Sequence, residues 1–172
     1  MKKNNIILIG FMGCGKTSVG IRLSYKLRRA FLDTDKWIEQ KQKKAISDIF
    51  ASEGEAAFRQ MEKDCIRGFI ERENNKIIST GGGLPVQEGN CELLKKLGKV
   101  YYLRVTPETV YERLKNDTSR PLLAGENPMA KIESLLAQRT PLYEACADVI
   151  IDVDGKSFEE ILEEIAEKEM GV

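Results

Sequence analysis

Residues 4–20 read NNIILIGFMGCGKTSVG. A short apolar run meets a glycine-rich turn, and Lys16 and Thr17 then open a stretch with helical spacing. Gly10, four further residues, Gly15, Lys16 and Thr17 make the phosphate-binding loop pattern in its required strand–loop–helix setting. The glycines let the backbone curl with its N–H groups turned inward. Those donors, with the helix N-terminus, cradle phosphate oxygens. Lys16 sets a point charge against the outer phosphates, and Thr17 offers a hydroxyl to Mg²⁺. The stretch therefore predicts a nucleoside triphosphate and Mg²⁺. Cys14, inside the loop, reads first as a small residue that fits and second as a thiol that a helix N-terminus could activate.

Outward from this loop, short apolar runs alternate with longer amphipathic ones. Strands are expected at 6–9, 30–33, 76–79, 100–104 and 148–152, each short and largely β-branched or aromatic. Helices are expected at 16–28, 46–72, 88–97, 107–115, 129–147 and 157–168. Strand–helix alternation over 172 residues predicts one α/β domain of three layers, a five-stranded parallel sheet with helices on both faces. Leu23, Leu27, Leu135, Leu136, Ile161, Leu162 and Ile165 fall at helical spacing and read as core. Two segments break the alternation. One is a charged, mostly helical insert from Lys36 to Arg72. The other is NDTSRPLLAGENP, residues 116–128, which reads as an exposed, mobile loop.

Composition narrows the chemistry. Lys plus Arg and Asp plus Glu are both 27, so neither nucleic acid nor an anionic membrane is favoured as a partner. No apolar run approaches a membrane span, and a cytoplasmic protein is expected. The four cysteines are scattered, which disfavours zinc and disulfides, and the absence of histidine excludes His-based triads and ligands. Acid–base chemistry is left to Asp, Glu, Lys, Cys or Tyr.

Three groups of residues complete a candidate site. FLDTDKW places Asp33 and Asp35 beyond the second strand, at the strand ends where parallel sheets bind ligands. In an extended segment both would lie on one side. They could divide metal positioning and orientation of an attacking hydroxyl, or serve as turn and cap residues. IISTGGG runs a strand into Gly81, Gly82 and Gly83, more glycine than a turn needs, which suggests close backbone approach to a ligand. Among the arginines, Arg59, Arg113, Arg120 and Arg139 stand out as groups for carboxylate or phosphoryl oxygens, although a lone arginine is by default a surface charge. Arg120, in the loop, is placed to close over phosphates. Glu62 follows Arg59 by three residues and reads as its orienter or as an ordinary surface pair. Trp37 and Phe58 either pack the insert or line a pocket.

GFMGCGKTSVG, FLDTD, GEAAFRQME, STGGG, SRPLL and QRTPLYEACADVIID, in this order, resemble the shikimate kinase family over nearly the whole chain. The resemblance implies a small α/β kinase of the nucleoside monophosphate kinase type. It implies transfer of the ATP γ-phosphoryl group to the 3-hydroxyl of shikimate, on the route to chorismate and aromatic amino acids. By that resemblance Gly13, Cys14, Gly15, Lys16, Thr17 and Ser18 hold phosphates, with Thr17 on Mg²⁺ and Asp33 positioning the metal through water. Asp35 binds the acceptor hydroxyls and is the candidate base. Arg59 and Arg139 grip the carboxylate, and Gly81, Gly82 and Gly83 bring N–H groups to the substrate. Arg120 reaches across to ATP, and Arg113 and loop 153–156, with Asp154, flank the adenine. Lys16, Asp35 and Arg120 form the implied catalytic set.

The same resemblance divides the chain into a core (1–33, 73–111, 127–172), a substrate-binding insert (about 34–72) and a lid (about 112–126). Kinases of this kind are commonly monomers, so a monomer is expected. The alternatives are another small-molecule kinase of this fold, for gluconate or a nucleotide, and a non-catalytic nucleotide-binding regulator.

Overall fold

Ile6, Ile7, Leu8 and Ile9 are all fully buried in β1 (Ile6–Ile9). A strand with no polar face must lie within a sheet covered on both sides. In the computed structural model, which describes residues 3–116 and 125–171, β1 is the middle strand of five. It pairs in parallel with β3 (Ile77–Ser79) and β4 (Lys99–Arg104), with Ile7 opposite Ile78 and Val100. β2 (Phe31–Asp33) and β5 (Val149–Asp152) lie outermost, giving the order β2-β3-β1-β4-β5, all parallel. The expected parallel α/β sheet is thus observed.

From β1 the chain steps toward β2, whereas from β3 it crosses β1 to reach β4 and then β5. Right-handed crossovers in opposite directions fall on opposite faces. Accordingly α1 (Lys16–Leu27) packs with α8 (Phe158–Met170), while α5 (Asn90–Leu97) packs between α4 (Glu55–Arg72) and α7 (Pro128–Cys146). α6 (Pro107–Leu114) lies along α7. The leucines and isoleucines expected in the core are buried (Leu23, Leu136, Ile161, Ile165) or packed against it (Leu27, Leu135, Leu162).

The insert differs from expectation in two ways. The expected helix over 46–72 is broken into α3 (Ile46–Glu53) and α4 by Gly54, whose φ of 88° and ψ of 171° belong to glycine. A further helix, α2 (Thr34–Gln42), begins immediately after β2, because the Asp33 side chain caps it by accepting from the Lys36 N–H at 3.1 Å. Trp37 meets Phe69 edge-on at 5.6 Å between ring centroids, and Phe50 meets Phe58 at 4.9 Å. Both aromatics left open by the sequence therefore pack inside the insert.

Because every strand is parallel, all five carboxyl ends share one edge of the sheet. The glycine loop leaves β1 there, α2 leaves β2, and Gly81, Gly82 and Gly83 follow β3. Arg120 and most of the expected lid lie outside the described residues. Among the described residues no helix is long and apolar enough to cross a membrane.

Candidate active site

The loop between β1 and α1 has the curvature its glycines predict. Gly10, Gly13 and Gly15 have φ of 153°, 78° and 92°. A Cβ on Gly10 would stand 2.8 Å from both Cys14 Sγ and Leu103 O, so a side chain fails there on space as well as on angle. Lys16 turns back into the loop: its Nζ donates to Gly10 O at 2.6 Å and to Phe11 O at 3.3 Å. Thr17 and Ser18, in the first turn of α1, are exposed. Cys14 is only 1% exposed. It is a packing residue of the loop, and the alternative of a reactive thiol fails on access.

Asp33 and Asp35 do not lie on one face of an extended segment. Asp33 is the last residue of β2 and the cap of α2, whereas Asp35 is in the first turn of that helix. The cap reading thus holds for Asp33, which still sits at the strand edge. The two carboxyls remain close enough to interact. Asp35 is held above the ordinary carboxyl range, first by burial and then by Asp33, against the pull of Lys16; Glu39 adds to the rise and Arg59 opposes it. Asp35 therefore senses both the phosphate loop and the insert arginine.

The glycine run explains how these groups meet. A Cβ at Gly81 would stand 2.8 Å from Asp35 Oδ1 and 3.2 Å from Glu62 Oε2. At Gly82 it would stand 3.6 Å from both Arg139 Nη1 and Gly10 O, and at Gly83 2.7 Å from Arg59 Nη2. Three successive residues without side chains thus let three sets of charged groups and the phosphate loop converge. The expectation that all three N–H groups face a ligand needs correction, because the Gly81 N–H donates to Thr34 Oγ1 at 3.1 Å. Gly82 is fixed from behind: Tyr143 donates its hydroxyl to Gly82 O at 2.6 Å.

Glu62 is not a surface residue. It is 1% exposed, and its Oε1 accepts from Arg59 Nη1 at 2.7 Å. Its Oε2 has no partner among the described residues. Burial pushes its carboxyl up to about 7, opposed by the Arg59 hydrogen bond and charge and reinforced by Asp35. Arg59 also reaches Glu55 Oε1 at 3.4 Å. Arg139 lies beside Gly82, 5.7 Å from the Phe11 ring centroid. A cleft of about 390 Å³ opens next to it, between Phe11 and Met12 and the α7 side chains from Ala130 to Gln138.

On the expected adenine side the described contacts are as follows. Arg113 Nη1 donates to Gly13 O at 2.7 Å, so it braces the phosphate loop. The Asp154 carboxylate accepts from the Thr106 N–H at 3.2 Å and from its hydroxyl at 3.0 Å. It ties the loop after β5 to the start of α6. Sequence reasoning did not single out Thr34 or Tyr143. Tyr143 follows Arg139 by four residues, which puts both on one helix face and was the one available signal.

The family model for shikimate kinase matches residues 12–169. A shikimate kinase of Thermodesulfovibrio yellowstonii is 45% identical over 161 residues, covering 94% of this chain and 92% of the relative. The structure of a shikimate kinase from Acinetobacter baumannii in complex with shikimate superposes with a TM-score of 0.90 at 38% identity, covering 98% of this chain and 94% of that one. A shikimate kinase structure from Aquifex aeolicus gives a TM-score of 0.83 at 35% identity, covering 97% and 96%.

Proposed function

The chain belongs to the shikimate kinase family, enzymes that move the γ-phosphoryl group of ATP to the 3-hydroxyl of shikimate, and we propose how its residues divide that work. The observation that carries the assignment is the glycine run after β3. It sets Asp35 with Glu62, then Arg139 with the phosphate loop, then Arg59, against three consecutive residues.

The phosphates of ATP lie on the N–H groups of residues 13–18, at the N-terminus of α1. The Lys16 ammonium, already inside the loop on Gly10 O, compensates the charge that develops as the β–γ bridging bond breaks. Shikimate binds across from it. Its carboxylate pairs with Arg59 and Arg139, and the N–H groups of Gly82 and Gly83 face it. Its 3-hydroxyl lies on Asp35. As that oxygen bonds to phosphorus, its proton passes to the Asp35 carboxylate and the electron pair of the broken bond stays on ADP. A carboxyl held above its ordinary range is a better proton acceptor than an exposed aspartate. Every group named comes from one chain, so a monomer suffices. Arg120 is proposed to reach the phosphates as well.

Magnesium fits these residues as a metal carried in with the nucleotide. No cluster of three or more His, Cys, Asp or Glu side chains that could hold a metal occurs among the described residues, so no all-protein cage is present there. The exposed Thr17 hydroxyl is a hard oxygen donor at the phosphate loop, and Asp33 keeps one carboxylate oxygen beyond its bond to the Lys36 N–H. Mg²⁺ bound there would neutralise phosphate charge and align the β- and γ-phosphates.

Acceptor-dependent ADP release tests this division. Shikimate should support turnover, and an analogue without the carboxylate should show a much raised KM. Gluconate and nucleoside monophosphates should be inert. Equal turnover with the carboxylate-free analogue would overturn the role given to Arg59 and Arg139.

A further inference from the structure

Arg139 and Tyr143 stand four residues apart on α7, so one face of the helix presents both. Tyr143 is wholly buried, its ring tilted on that of Tyr102 at 5.0 Å between centroids. A phenol at that depth needs partners for its hydroxyl. It donates to Gly82 O at 2.6 Å, and the Arg139 guanidinium donates to it in turn. A hydroxyl has one hydrogen to give and lone pairs to accept, so it makes both bonds at once.

The bond to Gly82 O acts one residue further on. The 82–83 peptide is trans and planar, so the Gly83 N–H points opposite to the Gly82 carbonyl. Tyr143, by holding the carbonyl, fixes the direction of that N–H. A carbonyl that accepts a hydrogen bond also polarises its own amide, which makes the N–H a stronger donor. On the other flank Thr34 Oγ1 accepts from the Gly81 N–H at 3.1 Å, so the glycine run is clamped from two sides. Arg139 lies alongside, its Nη1 3.6 Å from where a Gly82 Cβ would stand. One hydroxyl therefore touches both the backbone and the guanidinium that border the acceptor corner.

We propose that Tyr143 is a positioning residue for the acceptor carboxylate: its hydroxyl aims the Gly83 N–H and the Arg139 guanidinium at one anion without itself touching the substrate. This rests on the reading above that these groups receive the carboxylate. Three glycines in succession have little conformational preference of their own, and an arginine side chain has many rotamers. Released from the hydroxyl, both must be ordered by the substrate, and that cost falls on acceptor binding. Donor binding uses the backbone of the phosphate loop and is independent of the hydroxyl.

Tyr143→Phe keeps the ring and removes only the hydroxyl. Steady-state kinetics of the variant should show a shikimate KM raised about 5- to 50-fold, with kcat at saturating shikimate and the ATP KM within about twofold of native. The KM for an analogue without the carboxylate should be the same in variant and native chains. In the Arg139→Ala background the substitution should cost less than in the native chain, because one of its two targets is gone. An unchanged shikimate KM overturns the proposal. So does an equal loss with the carboxylate-free analogue, which would make the hydroxyl a support of the fold alone, and so does full additivity with Arg139→Ala. Should Tyr143→Phe fail to fold, amide NMR spectra of the native chain still decide. The Gly83 amide proton should move downfield with shikimate and stay in place with the carboxylate-free analogue; a Gly83 signal indifferent to shikimate overturns the proposal. If the native chain uses shikimate and the carboxylate-free analogue with equal KM, the carboxylate reading itself falls, and the proposal with it.

Discussion

Arg59 Nη1 donates to Glu62 Oε1 at 2.7 Å from a position one helical turn away, and Glu62 is almost wholly buried while Arg59 is partly open. The buried carboxylate thus aims a cation that remains accessible to a second carboxylate. That arrangement sets a buried carboxylate beside the arginine proposed to hold the substrate anion, and its consequences are measurable.

The first concerns pH and stability. The folded Glu62 carboxyl is raised from about 4.5 to about 7, so the folded chain binds more protons than the unfolded one between those values. Stability from this group is fully present below the lower value and is lost as pH rises through the upper one. Glu62→Gln removes the titration. The melting temperature of the native chain minus that of Glu62→Gln should fall between pH 5 and pH 8. A constant difference across that window would show that Glu62 does not titrate there.

Asp35→Asn keeps the shape of the side chain and removes its capacity to accept a proton. The kcat should drop about 10²- to 10⁴-fold, with ATP affinity measured without acceptor nearly intact. Activity within a few-fold of the native value would exclude Asp35 as the base.

Gly81→Ala tests the close approach directly. Its new methyl group would intrude on Asp35 Oδ1 and Glu62 Oε2, both side-chain tips that can move aside. Folding should therefore survive, while kcat falls because Asp35 is displaced. A native kcat would mean that the Asp35 position beside Gly81 is irrelevant to transfer.

Arg139→Ala should raise the shikimate KM about 10- to 100-fold, the usual worth of a charge-assisted pair, with ATP KM little changed. An unaltered shikimate KM would show that the carboxylate is held elsewhere.

Thiol labelling separates the cysteines by access. Cys14, Cys65 and Cys146 are buried, and Cys91 is partly exposed. Under native conditions a bulky thiol reagent should modify Cys91 at most, and modification of Cys14 should require unfolding. Rapid labelling of Cys14 in the folded chain would contradict its burial in the loop.

Much of this protein is local in origin. The buried β1 run, the turn glycines, Lys16 and the helix after them form one continuous stretch from Ile6 to Leu27, and their chemistry is set by neighbours in the chain. Hydrophobic period alone likewise separates strands from helices, so the parallel sheet and its helices are legible in the residues. Boundaries were less so where a cap or a glycine acts: Asp33 starts α2 early, and Gly54 divides one expected helix into two.

The acceptor corner belongs to the tertiary structure. Asp35, Arg59, Gly81 and Arg139 come from α2, α4, the loop after β3 and α7, and spacing along the chain says nothing about their mutual distance. Burial decides the rest. Glu62 at three residues from Arg59 would be an ordinary surface pair in water; packed under Gly81 it becomes a carboxyl whose proton affinity depends on the desolvation of the site. The proposed phosphate site could be read from sequence because it uses the backbone of one loop. The proposed acceptor site could not be placed in space, because it uses side chains that meet only once the strands have aligned their carboxyl ends along one edge.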